Sequence, residues 1–281
     1  MSEPNIARLA TPHLTDFHVH CDYSTDAVGT IDEYCRAALA RGLAEICFVT
    51  HYDTNPAVDS GDCFVRIKGV ERRAAPEHLA PYVDEVHRAH DEYYPRGLMV
   101  KLGIEVGWWE GCEDTVRGAI ERYPFDYVLC GIHDVGDVCI CSHDTEGNLG
   151  RMAPERLIEE YFRQAVLAAR TGLFSALAHL TYYRRFGEQY YGSIINELHR
   201  PYLPELWEAL RAGGTAMEIN TSAIRHGLGE YYPPPGLIHA ARRAGVRVER
   251  LGSDSHRPEQ VGLDFDAAAP LVAEQAPYYG E

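Results

Sequence analysis

Apolar runs with the length of buried strands alternate along this chain with segments in which apolar residues recur at helical spacing. The strand-like runs read AEICFVT, LMVKLGIEV, FDYVLCGI, FSALAHL, TAMEIN and RVERLGSD. The segments between them, such as PERLIEEYFRQAVLAARTG and LPELWEALRAGG, place apolar residues on one helical face, and several end in the glycine that commonly follows a helix. Strand and helix repeated this often predict parallel βα units, arranged as an α/β barrel or a doubly wound sheet.

The organisation of the chain predicts a single domain. With 281 residues and 46% hydrophobic content, it can bury one sizeable core. No Ser- or Gly-rich linker or low-complexity tract interrupts the alternation, so we expect one domain over residues 1–281. Two irregular stretches, residues 51–76 and 133–154, are expected to fold over one end as substrate loops.

Charge and cysteine content restrict the partners. Lys and Arg number 26 against 42 Asp and Glu, a net charge of −16, which argues against nucleic acid or an anionic membrane as the main partner. Bound cations would still allow an anionic substrate. The N-terminal MSEPNIARLATPHL lacks the pattern of a signal peptide, no apolar stretch is long enough to cross a bilayer, and the eight cysteines are irregularly spaced. We therefore expect a cytoplasmic protein.

Histidines and acids close the predicted strands. In TDFHVHCDYSTDA, His18 and His20 lie on the same face of an extended strand. The same kind of residue closes the other strands: His51, Glu105, His133, His179, Asp254 and His256. The carboxyl ends of parallel barrel strands meet at one face, and imidazoles with carboxylates are the ligands of zinc, manganese and iron. For any one of these residues alone, a hydrogen-bonded loop residue is the commoner explanation.

A cluster of this size exceeds the needs of one ion. It predicts more than one metal, with a carboxylate such as Glu105 or Asp254 bridging two of them. Ions about 3.5–4 Å apart stabilise attacking and leaving oxygens and lower the pKa of a shared water. The chemistry expected from such a centre is hydrolysis.

The order of these residues resembles the polymerase and histidinol phosphatase (PHP) family, from about His18 to Gly262, and most closely its histidinol-phosphate phosphatase branch. The resemblance implies a distorted seven-stranded (β/α) barrel, similar to a TIM barrel, with a trinuclear centre that holds two to three divalent ions (Zn, Mn or Fe). It implies nine ligands, among which Asp254 also serves as a possible proton acceptor: His18, His20, Asp26, His51, Glu105, His133, His179, Asp254 and His256.

Two arginine segments also resemble that branch. HLTYYRRFG and EINTSAIRHGLGEYYP match its phosphate-binding segments and indicate Arg184 and Arg225, although Arg185 beside Arg184 leaves an ambiguity of one residue. The planar guanidinium can donate two hydrogen bonds to a phosphate. His226 is a candidate to protonate the leaving group, or else a solvated loop histidine.

Other residues carry weaker expectations. Four aromatic residues either line a pocket for a flat substrate group or pack the barrel rim: Tyr182, Tyr183, Trp108 and Trp109. In CICSH, we interpret Cys139 and Cys141 as small buried thiols rather than as ligands of a soft metal. This CxC motif has no second motif elsewhere in the sequence to complete such a site. His143 contacts either the substrate or nothing.

The expected function is a metal-dependent phosphomonoesterase for a small phosphorylated metabolite, with L-histidinol phosphate, and hence histidine biosynthesis, as the implied substrate and pathway. A hydroxide that bridges the ions would attack phosphorus in line. Thr50, Thr181 and the loop after His133 depart from the branch and affect substrate identity. The alternatives are another small phosphate ester or a phosphodiester and, outside enzymes, a metal- or metabolite-binding sensor. The sequence does not indicate an oligomeric state.

Overall fold

Seven parallel strands form the centre of the fold. The structure is a computed structural model that describes residues 15–136, 138–141 and 149–273. The seven strands are hydrogen-bonded to one another in their order along the chain. They are β1 (Thr15–Val19), β2 (Glu45–Asp53), β5 (Met99–Gly107), β6 (Tyr127–Gly131), β9 (Ala176–Leu177), β10 (Ala216–Asn220) and β11 (Val248–Gly252).

The first and last strands close the sheet into a barrel. Val19 bridges Ser255 in parallel, and the N–H of His20 donates to the carbonyl of Ser255 at 2.9 Å. The buried carboxylate of Asp16 strengthens this junction between β1 and β11, here called the seam. One oxygen accepts from the N–H of Ser253 at 3.0 Å, and the other accepts from the Ser253 hydroxyl at 2.6 Å and the N–H of Gly262 at 2.9 Å. The predicted distorted seven-stranded (β/α) barrel is confirmed.

Helices cover the outside of the barrel. They are α1 (Ile31–Ala40), α2 (Ala80–Tyr93), α3 (Glu113–Arg122), α4 (Pro154–Arg170), α5 (Arg184–Tyr191), α6 (Leu203–Gly213), α7 (Ser222–Arg225), α8 (Pro235–Arg243) and α9 (Phe265–Ala273). Thr30 and Glu33 form a reciprocal capping box that starts α1, and α4 begins with proline at its first position. In the described part of the chain, no helix is long and apolar enough to cross a membrane.

The two faces of each strand have different neighbours. In β2, Ile46 and Phe48 point outward into the main core beneath the helices, whereas Cys47 and Val49 point into the barrel. The lower interior is filled by a small apolar cluster: Phe17, Cys47, Val49, Leu129, Ala176, Ala178 and Ala216. The buried polar side chains of the candidate site lie above this cluster, here called the apolar plug, toward the carboxyl ends of the strands.

A β-bulge in β1 brings two consecutive side chains inside. Asp16 pairs with Ile46 and Val19 with Phe48, so β1 has one residue more than β2 over this interval. Phe17 therefore joins the apolar plug while His18 also faces inward above it. Strict alternation would have turned one of them toward the helices.

The first predicted substrate loop contains ordered structure. Residues 54–79, here called the excursion, follow β2 and include a hairpin of β3 (Phe64–Ile67) and β4 (Val70–Arg73). The second stretch contains the short hairpin of β7 (Asp134–Val135) and β8 (Val138–Cys139). His143 and the rest of 142–148 lie outside the described residues.

Replacement of Asp16 by asparagine tests the seam. Its oxygens face only donors, so an amide would place an N–H group against another donor in a buried position. We expect Asp16→Asn to lower the free energy of unfolding by about 2–3 kcal/mol in urea titrations. Asp91→Asn, on the exposed face of α2, is the matched control. Equal stability of both variants would contradict a role for Asp16 in closure.

Candidate metal centre

The nine predicted ligand residues converge at the carboxyl end of the barrel. Each comes from a strand end or from the loop that follows it, and we divide their closely spaced side-chain atoms into three groups that overlap. Only Asp26 and, in part, His256 have substantial exposure, while the others are buried. The sequence prediction that these residues meet in space is confirmed; their role as ligands remains a proposal.

The first group is the most deeply buried. The Nε2 atoms of His18 and His20 lie 3.0 Å apart. Each lies 3.3 Å from Oε2 of Glu105 and 3.5 Å from Oδ1 of Asp254. Two imidazole nitrogens and two carboxylate oxygens therefore surround one point.

The second group uses the other oxygen of Glu105. Its Oε1 lies 2.8 Å from Nε2 of His179 and 3.4 Å from Nε2 of His133. One carboxylate thus faces two groups of imidazoles, as a bridging ligand does. The expectation that Glu105 takes the bridging position agrees with this geometry.

The third group lies closer to solvent. Nε2 of His256 is 2.9 Å from Oδ2 of Asp26, and Nε2 of His51 is 3.6 Å from Oδ1 of the same residue. The ring of His20 stacks between those of His51 and His256, with centroid distances of 4.2 and 4.3 Å. The stack fixes the planes of rings that belong to the first and third groups.

The separations between these ligand atoms suit atoms that share a divalent metal ion better than atoms that bind one another directly. Two ligands that bind one ion at about 2.0–2.2 Å lie roughly 3–4 Å apart, which matches these separations. Oε2 of Glu105 and Nδ1 of His51 are buried and lie 3.1 Å apart, yet neither has a partner in hydrogen-bond geometry among the described residues. Burial raises the pKa of Glu105, but the nearby charges of His18 and the other imidazoles hold it well below its usual range. An ionised carboxylate among imidazoles is a donor set suited to a cation.

Groups behind the ligands orient them. Oε1 of Glu218 lies 2.8 Å from Nδ1 of His18, and its Oε2 accepts from the N–H of His179 at 2.9 Å. This contact directs Nε2 of His18 toward the cluster. A Cβ on Gly252 would come within 1.8 Å of Glu218, so glycine is required for this close approach.

The two predicted arginines lie in different environments. Arg225 lines the cavity above the cluster; its Nη2 donates to the carbonyls of Ser253 and Asp254, and its buried Nη1 has no hydrogen-bond partner among the described residues. Arg184 is instead buried against Glu188 and Glu230, with Nη2 to carboxylate distances of 2.5 and 2.6 Å.

Arg184 therefore does not line the cavity, and this geometry disfavours the predicted contact between Arg184 and phosphate. Arg185 lines the cavity in its place. Its Nη1 donates to the Tyr182 hydroxyl and to the carbonyl of Cys141. Neighbouring residues at the start of a helix point in directions about 100° apart, so only one of the two can face the cavity.

His226 lines the cavity but is poorly suited to be an acid. Burial, together with the charge of Arg185, lowers its pKa to about 3. The ring is therefore neutral near pH 7, with Nδ1 3.2 Å from the Tyr232 hydroxyl. The role of His226 in protonating the leaving group stays a prediction, and the lowered pKa argues against it.

The aromatic and cysteine predictions divide between pocket and packing. Tyr182 lines the cavity, whereas Tyr183 packs edge-to-face on Tyr161, Trp108 packs on Phe174, and Trp109 donates to Thr54. The two thiols of the CxC, expected to be buried, are only partly so: Cys139 and Cys141 lie with Sγ atoms 3.0 Å apart, and Cys141 borders the cavity.

Sequence reasoning missed Glu218 and Asp62. Glu218 follows two positions after Ala216 on the inward face of β10, a pattern that could have indicated it. Asp62 lies on the excursion rather than at a strand end, yet it borders the cavity and the third group. A search restricted to strand ends cannot find such a residue.

A parallel barrel with this set of imidazoles and carboxylates at its carboxyl-terminal mouth defines a metal-dependent barrel enzyme. The PHP domain family model matches residues 16–222, and the chain belongs to this family. The resemblance inferred from the ligand pattern is confirmed.

Relatives with known names cover nearly the whole chain. A probable histidinol-phosphatase of Deinococcus radiodurans is 29% identical over 259 residues, 92% of each protein, and the histidinol-phosphatase of Lactococcus lactis is 27% identical over 92% of this chain and 89% of its own. The crystal structure of histidinol phosphate phosphatase from Lactococcus lactis, complexed with zinc, L-histidinol and phosphate, superposes with a TM-score of 0.73 at 25% identity and covers 92% of both chains.

Substitution of Glu218 tests whether this residue orients the ring of His18. Glu218→Gln removes the charge that fixes the His18 ring, and we expect metal affinity to fall by roughly 10- to 100-fold. Competition with a zinc chelator measures the effect. Glu208→Gln, on the exposed face of α6, should bind metal as the parent does. Unchanged affinity in Glu218→Gln would rule out an orienting role.

Proposed function

We propose that this protein is a phosphatase that hydrolyses L-histidinol phosphate. The observation that carries the proposal is the meeting of three candidate ligand groups with Arg185 and Arg225 at one cavity of about 530 Å³. This volume suits a small metabolite. The relatives named for the same activity support it.

The arginines would bind the phosphate. The unpartnered Nη1 of Arg225 can donate to a non-bridging oxygen while its Nη2 stays fixed on two backbone carbonyls. Arg185 is held over the rings of Phe186 and Tyr182, at 4.9 and 5.6 Å from their centroids. These two guanidinium groups, each held in place by other contacts, would orient a terminal phosphate toward the ligand cluster.

The nine ligand residues would hold two to three divalent ions, with Zn, Mn and Fe as the candidates for this donor set. When bound, such ions supply Lewis-acid charge and lower the pKa of a coordinated water. Ser222 donates to Oδ2 of Asp254 at 3.1 Å, which leaves Oδ1 facing His18 and His20. Asp254, which lines the cavity, is also the proposed proton acceptor in the reaction.

A cytoplasmic location is part of the same proposal. All eight cysteines lie among the described residues, and all eight are free thiols. Free thiols at this number are typical of a reducing compartment. A biosynthetic phosphatase with a small phosphorylated metabolite as its substrate would work there.

The defining experiment combines metal analysis with phosphate release. We expect two to three metals per chain, hydrolysis of L-histidinol phosphate in preference to a panel of other phosphate monoesters and a diester, and loss of activity on chelation that added metal restores. Preference for another ester would keep the centre and change the substrate. A fully metal-loaded protein that turns over no member of the panel would overturn the proposal.

The arginine assignment gives a second test. Loss of one charge-assisted hydrogen bond to phosphate is expected to lower kcat/KM by roughly 10- to 100-fold in Arg185→Ala and in Arg225→Ala. Arg184→Gln should instead lower the melting temperature, because Glu188 and Glu230 lose their buried partner, with a smaller change in kcat/KM. A larger kinetic defect in Arg184→Gln than in Arg185→Ala would reverse the assignment.

A further inference from the structure

We propose that Asp62 is a fourth protein ligand of the third group, beside Asp26, His51 and His256. The inference rests on the proposed metal centre, to which it adds a tenth ligand that neither the strand-end pattern nor the family resemblance assigns. It predicts that the outermost ion is held by two carboxylates and two imidazoles.

The separations suit a shared cation. Oδ1 of Asp62 lies 3.8 Å from Nε2 of His51, and Oδ1 of Asp26 lies 3.6 Å from the same nitrogen. All three ligand atoms lie within 4.8 Å of one another. These distances are too long for hydrogen bonds, yet two ligands that each lie about 2.0–2.2 Å from one ion can be separated by up to about 4.4 Å.

The carboxylate of Asp62 is largely buried and faces imidazoles and a thiol. Its side chain is 14% exposed and borders the cavity. Its other close neighbours are Nδ1 of His133, at 3.9 Å, and the thiol of Cys141, at 3.5 Å from Oδ2. In residues 15–136, 138–141 and 149–273, no Lys or Arg is within ion-pair distance of this carboxylate. A largely buried charge without a fixed cation is costly, and a bound ion would remove that cost.

The chain places Asp62 beside Asp26 by direct contacts. The Thr25 hydroxyl donates to the carbonyl of Gly61 at 2.9 Å, and a Cβ on Gly61 would come within 2.7 Å of that hydroxyl. Val65 of β3 bridges Ser24. The excursion is therefore joined to the loop that carries Asp26 on both sides of Asp62.

Arg66 completes this connection. Its guanidinium donates to the carbonyls of Ser24, Thr25 and Ala27, the residues that flank Asp26. The arginine belongs to the excursion and binds the ligand loop through its backbone. The two carboxylates are thereby held at a fixed distance by the same set of contacts, as a preformed metal site requires.

The test measures metal binding without reference to turnover. Parent and Asp62→Asn proteins are loaded with zinc and equilibrated against chelator buffers of graded free zinc, and bound zinc per chain is determined. We expect the most weakly bound equivalent to dissociate at least about tenfold more readily from Asp62→Asn, with the others unchanged. Asp59→Asn is the matched control, because Asp59 lies on the same excursion but is exposed and pairs with Arg73.

Three outcomes would overturn the inference: a parent protein that never binds a third equivalent, an Asp62→Asn variant with parental affinity, or an equal loss in Asp59→Asn. Parental affinity with a raised KM for an amine-bearing phosphate ester, but not for an ester without an amine, would show that Asp62 binds substrate. Asp62→Ser replaces Asp62→Asn if the latter does not fold. Loss of the third equivalent in a protein inactive on L-histidinol phosphate would retain this site while the proposed function fails.

Discussion

One buried carboxylate organises the mouth of the barrel. Glu105 approaches five imidazoles within 3.4 Å: His18, His20, His51, His133 and His179. Burying a charge at this depth costs several kcal/mol unless it is compensated. The compensating groups come from β1, β2, β6 and β9, so the register of four strands must be correct for one side chain to be accommodated. The barrel and the candidate centre therefore depend on the same strand registers.

The backbone near the centre carries strain. Asp254, His179 and Thr181 have φ values of +52°, +29° and +81°, a region that residues with a Cβ rarely adopt. Thr181 is β-branched, its hydroxyl is buried, and no hydrogen-bond partner meets that hydroxyl in the described part of the chain. Thr181 is one of the positions at which the sequence departs from the branch that it resembles, and β-branched residues tolerate the left-handed region poorly. The substitution thus departs from the family where local geometry is most demanding.

The sequence predicted the barrel and the convergence of nine residues because both depend on short-range periodicity. A strand ends where its apolar run ends, and parallel topology brings those ends together. The choice between Arg184 and Arg185 depends instead on the rotation of one helix, which a spacing of one residue cannot resolve. The β1 bulge could not be predicted either, because both faces of that strand are buried and its sequence pattern shows no inserted residue. Asp62 required knowledge of how a non-barrel segment folds back.

The excursion is tied to the Asp26 loop by the guanidinium of Arg66 and by the Val65 bridge to Ser24. Loops at the mouth of a barrel usually diverge independently of the scaffold, and this is how barrel enzymes acquire new substrates. Here a longer or shorter excursion would displace a candidate ligand together with the cavity wall. Selection for a new substrate would therefore act on metal retention as well, and the lineage could change one property only by compensating in the other.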